Sequence, residues 1–365
     1  MPTETVAGFT VPHTRYIDRN GRPLGPLPSF ASDVTALSNL YRAMVRTRAF
    51  DAKAVSLQRT GRLGTFASSL GQEAVGVGAA AAMRADDVLV PSFRDQAAQL
   101  WRGVTPAELL FYWGGDERGS DFAVPRADFP ICVPVGSHAP HAAGVALAFR
   151  LRREPRAVVR ILGDGATSKG DFHEALTLAG VWRLPMVMLI ANNQWAISVP
   201  RAAQCAAETL AQHCIGVGLP GEQVDGNDVL AVHDRVAAAL TRARDGGGAT
   251  VIEAVTYRLS DHTTSDDARR YRDDAEVSEH WHEDPIARLR QYLLGLGAWS
   301  RQDEERTIAG AAAEMEEAAA SWLNSSPQPV TAMFDFLFAT LPTQLAVQRA
   351  RLVARDAGAE ENADD

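Results

Sequence analysis

Apolar and polar positions follow two different periods along this chain, and the change from one to the other marks its elements. Residues 157–162 (AVVRIL) and 185–190 (PMVMLI) are apolar runs of strand length. Between them Phe172, Ala175, Leu176, Ala179 and Trp182 recur at three- and four-residue steps, the stripe of a helix packed on a sheet. The three segments predict a βαβ unit, whose crossover sets two parallel strands together. Residues 250–257 (TVIEAVTY), set off by Gly246, Gly247 and Gly248, predict a last strand of the core. Helical spacing at Leu37, Leu40, Tyr41, Met44 and Val45 opens a long helix, and residues 140–153 (PHAAGVALAFRLRR) predict the helix that feeds strand 157–162. Residues 71–83 (GQEAVGVGAAAAM) predict a small-residue helix suited to close packing against another helix or a subunit. The expected fold is α/β, a mostly parallel sheet with helices on both faces and further helices toward the C-terminus.

Outside these periods the chain divides simply. Residues 1–34, rich in Pro and Gly, read as an extended N-terminal arm, and residues 35–340 as one α/β domain. Within the domain, residues 258–284 are dense in charge and poor in apolar periodicity, which reads as a long mobile loop, and helices are expected over 285–340. Residues 341–365 read as a polar tail. With 365 residues, the chain is long enough to bury a large core.

Charge and cysteine usage narrow the function classes. Basic residues number 36 against 45 acidic ones, a net charge of −9, which argues against a nucleic-acid surface and offers no basic stripe to a membrane. Any anionic ligand must therefore be met locally. Cys132, Cys205 and Cys214 have no metal-binding spacing and read as reduced core residues. The first ten residues, MPTETVAGFT, have neither a basic n-region nor an apolar h-region, so the expected location is the cytoplasm.

The residues just after the two paired strands carry the chemistry. Gly163-Asp164-Gly165 comes directly after the first, and Asn192-Asn193 one residue beyond the second, with 26 residues between the motifs. In a βαβ unit these positions meet at the carboxyl edge of the sheet, where ligands of open α/β sheets bind. A carboxylate and an amide oxygen are hard ligands of the kind magnesium takes beside phosphate oxygens and water. Gly163 and Gly165 let phosphate approach the backbone, and the next helix offers its amino end to negative charge.

This spacing resembles the thiamine diphosphate motif. Residues 163–200 (GDGATSKGDFHEALTLAGVWRLPMVMLIANNQWAISVP), 224–229 (VDGNDV), 257–267 (YRLSDHTTSDD) and 284–294 (DPIARLRQYLL) extend the resemblance to alpha subunits of the decarboxylating component of 2-oxo acid dehydrogenase complexes. The blocks VDGNDV and HTTSDD are most similar to branched-chain (3-methyl-2-oxobutanoate) enzymes, whereas GRLGTF at 61–66, GQEA and AAETLAQ at 206–212 also have close versions in bacterial pyruvate dehydrogenases. The resemblance implies a thiamine diphosphate-binding fold, oxidative decarboxylation of a 2-oxo acid, and acyl transfer to the lipoyl group of an acyltransferase component. It also implies an α2β2 heterotetramer with a separate beta subunit that supplies the glutamate at the cofactor's pyrimidine ring. No such role therefore falls to Glu73.

Site roles carry over by position. Asp164, Asn193 and the main-chain carbonyl of Trp195 would hold Mg2+. Phe93 and Arg94, together with the amides of Gly165 and Ala166, would hold the diphosphate, Arg94 because its planar fork matches two phosphate oxygens. Val133 would meet the aminopyrimidine through its carbonyl, and Val135 would be the apolar wedge behind the bent cofactor. His262 would act at the diphosphate and near the incoming lipoyl group, where an imidazole donates to phosphate or shuttles a proton. Phe66 is expected to border the acyl pocket. The chain departs from the branched-chain pattern at Phe93 (Tyr in relatives), Ala191 (Arg), Trp195 (Tyr) and Asp261 (His). Cys132, Ser137 and His138 replace the hydroxyl and amide ligands with which some members bind potassium, so potassium is not expected.

Overall fold

The computed structural model describes residues 3–335 and 337–361, with side-chain surroundings described through residue 356 apart from residue 336. Contacts divide the chain into two compact units, residues 1–319 and 320–365. In the first, six strands form one parallel sheet in the order β1-β7-β8-β4-β3-β2. The strands are β1 (His13–Thr14), β2 (Val88–Val90), β3 (Val158–Gly163), β4 (Met186–Asn192), β7 (Gly221–Asp225) and β8 (Thr250–Val255). A two-stranded hairpin, β5 (Trp195–Ala196) with β6 (Val199–Pro200), projects beyond the end of β4.

Both faces of the sheet are covered, as an α/β sheet requires. One face presents Val158, Leu162, Met186, Met188 and Ile190 to α5 (His138–Arg152) and α6 (Gly170–Val181). The other presents Val159, Ile161, Val187, Leu189 and Ala191 to α2 (Glu73–Ala81), α3 (Gln96–Arg102) and α8 (Val229–Arg242). Gly76 and Gly78 show why α2 is built of small residues. A Cβ on Gly76 would stand 2.7 Å from the Ala97 Cβ, and one on Gly78 would stand 2.9 Å from the Val232 Cβ. The close packing is thus against α3 and α8. Outside α2, helix α1 (Val34–Arg59) buries Leu37, Leu40, Tyr41 and Met44 in one cluster with Leu289, Tyr292 and Leu293 of α10 (Pro285–Gly295).

Several expectations need correction. Trp182, expected to end the α6 stripe, is 44% exposed, because α6 ends at Val181 and Arg183 at φ 44° starts the turn into β4, where Leu184 is buried instead. The expected loop over 258–284 holds a short 3-10 turn at Ala268–Arg270, helix α9 (Asp274–His280) and a second 3-10 turn at Trp281–Glu283. Asp273 caps α9 by accepting the Ala275 amide, with Asp274 and Glu276 in the first turn. Arg272 bonds to the carbonyls of Arg258 and Ser260 and fastens the start of the segment. Cys214 is buried, but Cys132 and Cys205 are only half-buried; all three are free.

The arm is extended as expected and is also built into the fold, since β1 adds to the sheet edge and Ile17 is fully buried. In the second unit, the expected polar tail is helix α13 (Thr343–Glu361); residues 362–365 of that expectation lie outside the described residues. The helices expected over 285–340 are α10, α11 (Arg301–Leu323) and the short α12 (Ala332–Asp335). Among the described residues, no helix is long and apolar enough to cross a membrane.

Asp228 joins the arm to the core. Buried and at the N-cap of α8, it accepts from the amides of Leu230 and Ala231 and, through its other oxygen, from Tyr16 at 2.7 Å and Ile17 at 2.9 Å. Asp228→Ala should lower unfolding stability by about 3 kcal/mol in urea, from the lost cap and the stranded arm amides. The arm's Arg15 and Arg19 should then be cut by trypsin before the core is.

Candidate cofactor site at the carboxyl edge of the sheet

β3 and β4 are in register from Val158 opposite Met186 to Gly163 opposite Ala191. The strands therefore end level, and the residues beyond their ends line one cavity of about 650 Å³. Its wall includes Phe93, Arg94, Val133, Val135, Asp164, Gly165, Ala166, Asn193, Trp195 and His262, so the positions expected to hold cofactor and metal meet in one place.

The two asparagines have divided tasks. Asn192 turns into the sheet and donates to Glu253 Oε1 of β8 at 2.6 Å. Asn193 donates through Nδ2 to Gln72 Oε1 at 2.6 Å, and this fixes its amide so that Oδ1 is left as the acceptor. Oδ1 accepts from the Trp195 amide at 3.2 Å. Asp164 is 2% exposed, and its Oδ2 accepts from Gln204 Nε2 at 2.8 Å. Burial pushes its carboxyl upward, and the Gln204 bond offsets only part of this. The Trp195 carbonyl accepts from Arg258 Nη1 at 3.3 Å.

Three groups meet at His262. Arg94 Nη2 lies 3.1 Å from His262 Nδ1 and donates to the His262 carbonyl at 2.8 Å, while Nη1 donates to the Ser68 carbonyl. Arg258 Nη1 is 3.4 Å from the same Nδ1. Guanidinium nitrogens only donate, so Nδ1 is the acceptor and the ring proton sits on Nε2. Burial, then the Arg94 and Arg258 charges, lower the imidazole to about 4, which keeps it neutral at pH 7. Burial and then Arg258 also lower Arg94, to about 10, where it stays charged. Phe93 meets the His262 ring edge-on at 5.9 Å.

The glycines of the GDG motif differ. A Cβ on Gly163 would meet nothing within 4 Å, so it would project into the cavity that Gly163 lines. A Cβ on Gly165 would lie 2.7 Å from the Ala196 Cβ, so here the hairpin forbids a side chain. Val133 and Val135 line the cavity and remain about half-exposed, at 54% and 46%.

Sequence reasoning also needs correction at the cavity wall. Phe66 is fully buried against Phe50 and Trp113 and is not part of this wall; its neighbours Thr65 and Ala67 are. Gln72, Gln204, Arg258 and Arg160 were missed. Arg160, 2% exposed in β3, donates through Nη1 to the carbonyls of Val90 and Ile161 and has no ion pair among the described residues. A charged residue inside an apolar strand pattern was the available signal for it. Glu73 pairs with Arg48 at 2.8 Å and is not on the wall.

The comparison that decides the family is a model described as the dehydrogenase E1 component, which matches residues 41–330. The chain belongs to the dehydrogenase E1 component family. This E1 component chain is 43% identical over 315 residues to the 3-methyl-2-oxobutanoate dehydrogenase subunit alpha of Mycobacterium tuberculosis, covering 86% of each chain. It is 36% identical over 337 residues to the pyruvate dehydrogenase E1 component subunit alpha of Staphylococcus aureus, covering 92% of this chain and 90% of that one. The corresponding Staphylococcus epidermidis subunit is 37% identical over 313 residues, covering 86% and 85%.

Two outcomes test the geometry of this E1 component chain. Gly163→Ala should leave the thermal midpoint unchanged or slightly raised while weakening thiamine diphosphate binding, whereas Gly165→Ala should cost stability itself, about 1–3 kcal/mol, through the clash with Ala196. Calorimetry with and without the cofactor separates the two. The second test concerns pH. Because folding lowers the His262 pKa from its usual 6.5 to about 4, its contribution is fully present above about 6.5 and fades as pH falls through about 4. Between pH 7 and pH 5 the cofactor-free His262→Gln chain should therefore lose about 1 kcal/mol less stability than the wild-type chain, after discounting for the ring's partial exposure. Thermal midpoints at the two pH values measure it.

Proposed function

We propose that this chain is the alpha subunit of a 2-oxo acid dehydrogenase and acts on a branched-chain 2-oxo acid of the 3-methyl-2-oxobutanoate type. The observation that carries the reading is the convergence of Asp164, Asn193, Trp195, Arg94 and His262 on one cavity. The 43% identical relative named for that substrate supports the choice of acid. Pyruvate is the second reading, supported by the staphylococcal relatives.

The family implies thiamine diphosphate, and the residues present fit it together with Mg2+. Asp164 is a buried carboxylate with no ion pair among the described residues, which suits a cation. The Asn193 amide oxygen and the Trp195 carbonyl supply two more hard donors, and Gly163 leaves room where a methyl would intrude. When bound, thiamine diphosphate supplies the nucleophilic carbon and electron sink that decarboxylation of a 2-oxo acid needs.

The chain's own residues bind and orient. Arg94 presents a charged guanidinium to the diphosphate, with its rotamer held by the carbonyls of Ser68 and His262. His262 offers an Nε2 proton, because its Nδ1 lone pair is committed to two arginines. That proton serves a phosphate oxygen or a proton transfer to the incoming lipoyl group. Val135 supports the cofactor as an apolar wedge, and the Val133 carbonyl meets the aminopyrimidine. The carboxylates on the described cavity wall are Asp95 and Asp164. Asp95 is taken by the Ser92 amide and hydroxyl, and Asp164 by Gln204 and the metal. This leaves the pyrimidine's carboxylate to a beta subunit, which would also cover the exposed Val133 and Val135 in an α2β2 assembly. A lipoyl-bearing acyltransferase would then receive the acyl group.

Co-expression with candidate beta subunits should give turnover that requires thiamine diphosphate and Mg2+, with kcat/KM higher for 3-methyl-2-oxobutanoate than for pyruvate. Asp164→Ala should lower cofactor affinity at least tenfold in calorimetry and His262→Ala should lower acyl transfer to lipoyl groups by about 10²–10⁴-fold. Cofactor binding unchanged by Asp164→Ala would refute the reading.

A further inference from the structure

We propose that Gln204 belongs to the metal site as its outer shell: it grips Asp164 and presents its amide oxygen to a water on the metal. This rests on the proposed Mg2+ at Asp164, Asn193 and Trp195. Gln204 ends α7 (Arg201–Gln204), a four-residue helix that comes after the β5–β6 hairpin. Its Nε2 donates to Asp164 Oδ2 at 2.8 Å and to the Val199 carbonyl at 3.0 Å. Two acceptors on one nitrogen fix the amide's orientation, since a flip would set oxygen against both.

The other end of the amide is unused. Gln204 Oε1 is buried and has no hydrogen-bond partner. It lies against the motif turn, 3.8 Å from where a Cβ on Gly165 would stand. An acceptor so placed, beside the carboxylate that would hold the cation, matches a metal-bound water, which donates only. Magnesium dehydrates reluctantly and keeps several such waters, and their partners set its affinity.

The same amide ties two ligands together. Val199 pairs with Ala196 in the hairpin that carries the Trp195 carbonyl, so Gln204 links the Asp164 strand end to it. The hairpin is held under strain, with Gln194 at φ 72° and the β-branched Ile197 at φ 55°. Without the Gln204 link, the carboxylate and carbonyl ligands would no longer share a fixed separation.

The test uses the chain assembled with its beta subunit, with thiamine diphosphate and Mn2+ as a paramagnetic probe. Gln204→Met, which keeps the size but neither hydrogen bond, should raise the Mn2+ dissociation constant 10–100-fold in electron spin resonance titration, measured at a temperature where the metal-free chain is fully folded. Its water-proton relaxation enhancement per bound ion should also change. Gln204→Glu keeps an acceptor for the water but cannot donate to Asp164, so it should retain the wild-type enhancement with weaker binding. An unchanged Mn2+ dissociation constant in Gln204→Met overturns the proposal. So does the wild-type enhancement per ion in Gln204→Met, because Gln204 would then only pin Asp164 and Val199. If the wild-type assembly binds no Mn2+, the metal reading fails instead.

Discussion

Gly163 stands opposite Ala191 across β3 and β4, and every group at the cavity takes its place from that register. A slip of one residue would exchange the faces of a strand and carry Asp164 away from Asn193. Here the apolar pattern alone is a weak guard, because both faces of the sheet are buried and both are apolar. Buried polar contacts complete the specification. Asn192 to Glu253 locks β4 to β8, and Arg160 to the Val90 carbonyl locks β3 to β2. Moving either strand would strand a charge or an amide in the core.

The second feature of the site is its sign. The chain as a whole carries −9, yet Arg94 and Arg160 stand on the cavity wall with Arg258 behind them. All three are lowered by burial, which means that the fold holds them there against their own solvation. An anion entering the cavity relieves that cost, so local potential outweighs net charge. Burial, with the Arg94 and Arg258 charges, keeps His262 neutral, and the imidazole thus acts by directing a proton rather than by adding charge.

Much of this was legible in the sequence, and the remainder was hidden for physical reasons. The βαβ unit was readable because strand and helix periods are local and because Gly163, Asp164 and Asn193 lie directly at their strand ends. The roles of Phe93, Val133 and the Trp195 carbonyl came from family resemblance, since main-chain groups leave no mark on residue type. Gln72 reaches Asn193 across 121 positions, and no local pattern announces such a bond. The segment 259–284 was misread because charge hid its order; the Asp273 cap with Glu276 three residues later was the overlooked sign of α9. Phe66 failed through direction: its neighbours Thr65 and Ala67 reach the wall while its own ring packs inward.

The bond between Arg94 and His262 closes a span of 168 residues. Such a closure is costly until the intervening chain has folded, so it forms late and opens when the whole unit opens. The cavity is therefore no local loop that can ripen by itself. A cofactor held there is coupled to the cooperative unfolding of the domain, and its departure or arrival is felt in the exchange of core amides far from the site.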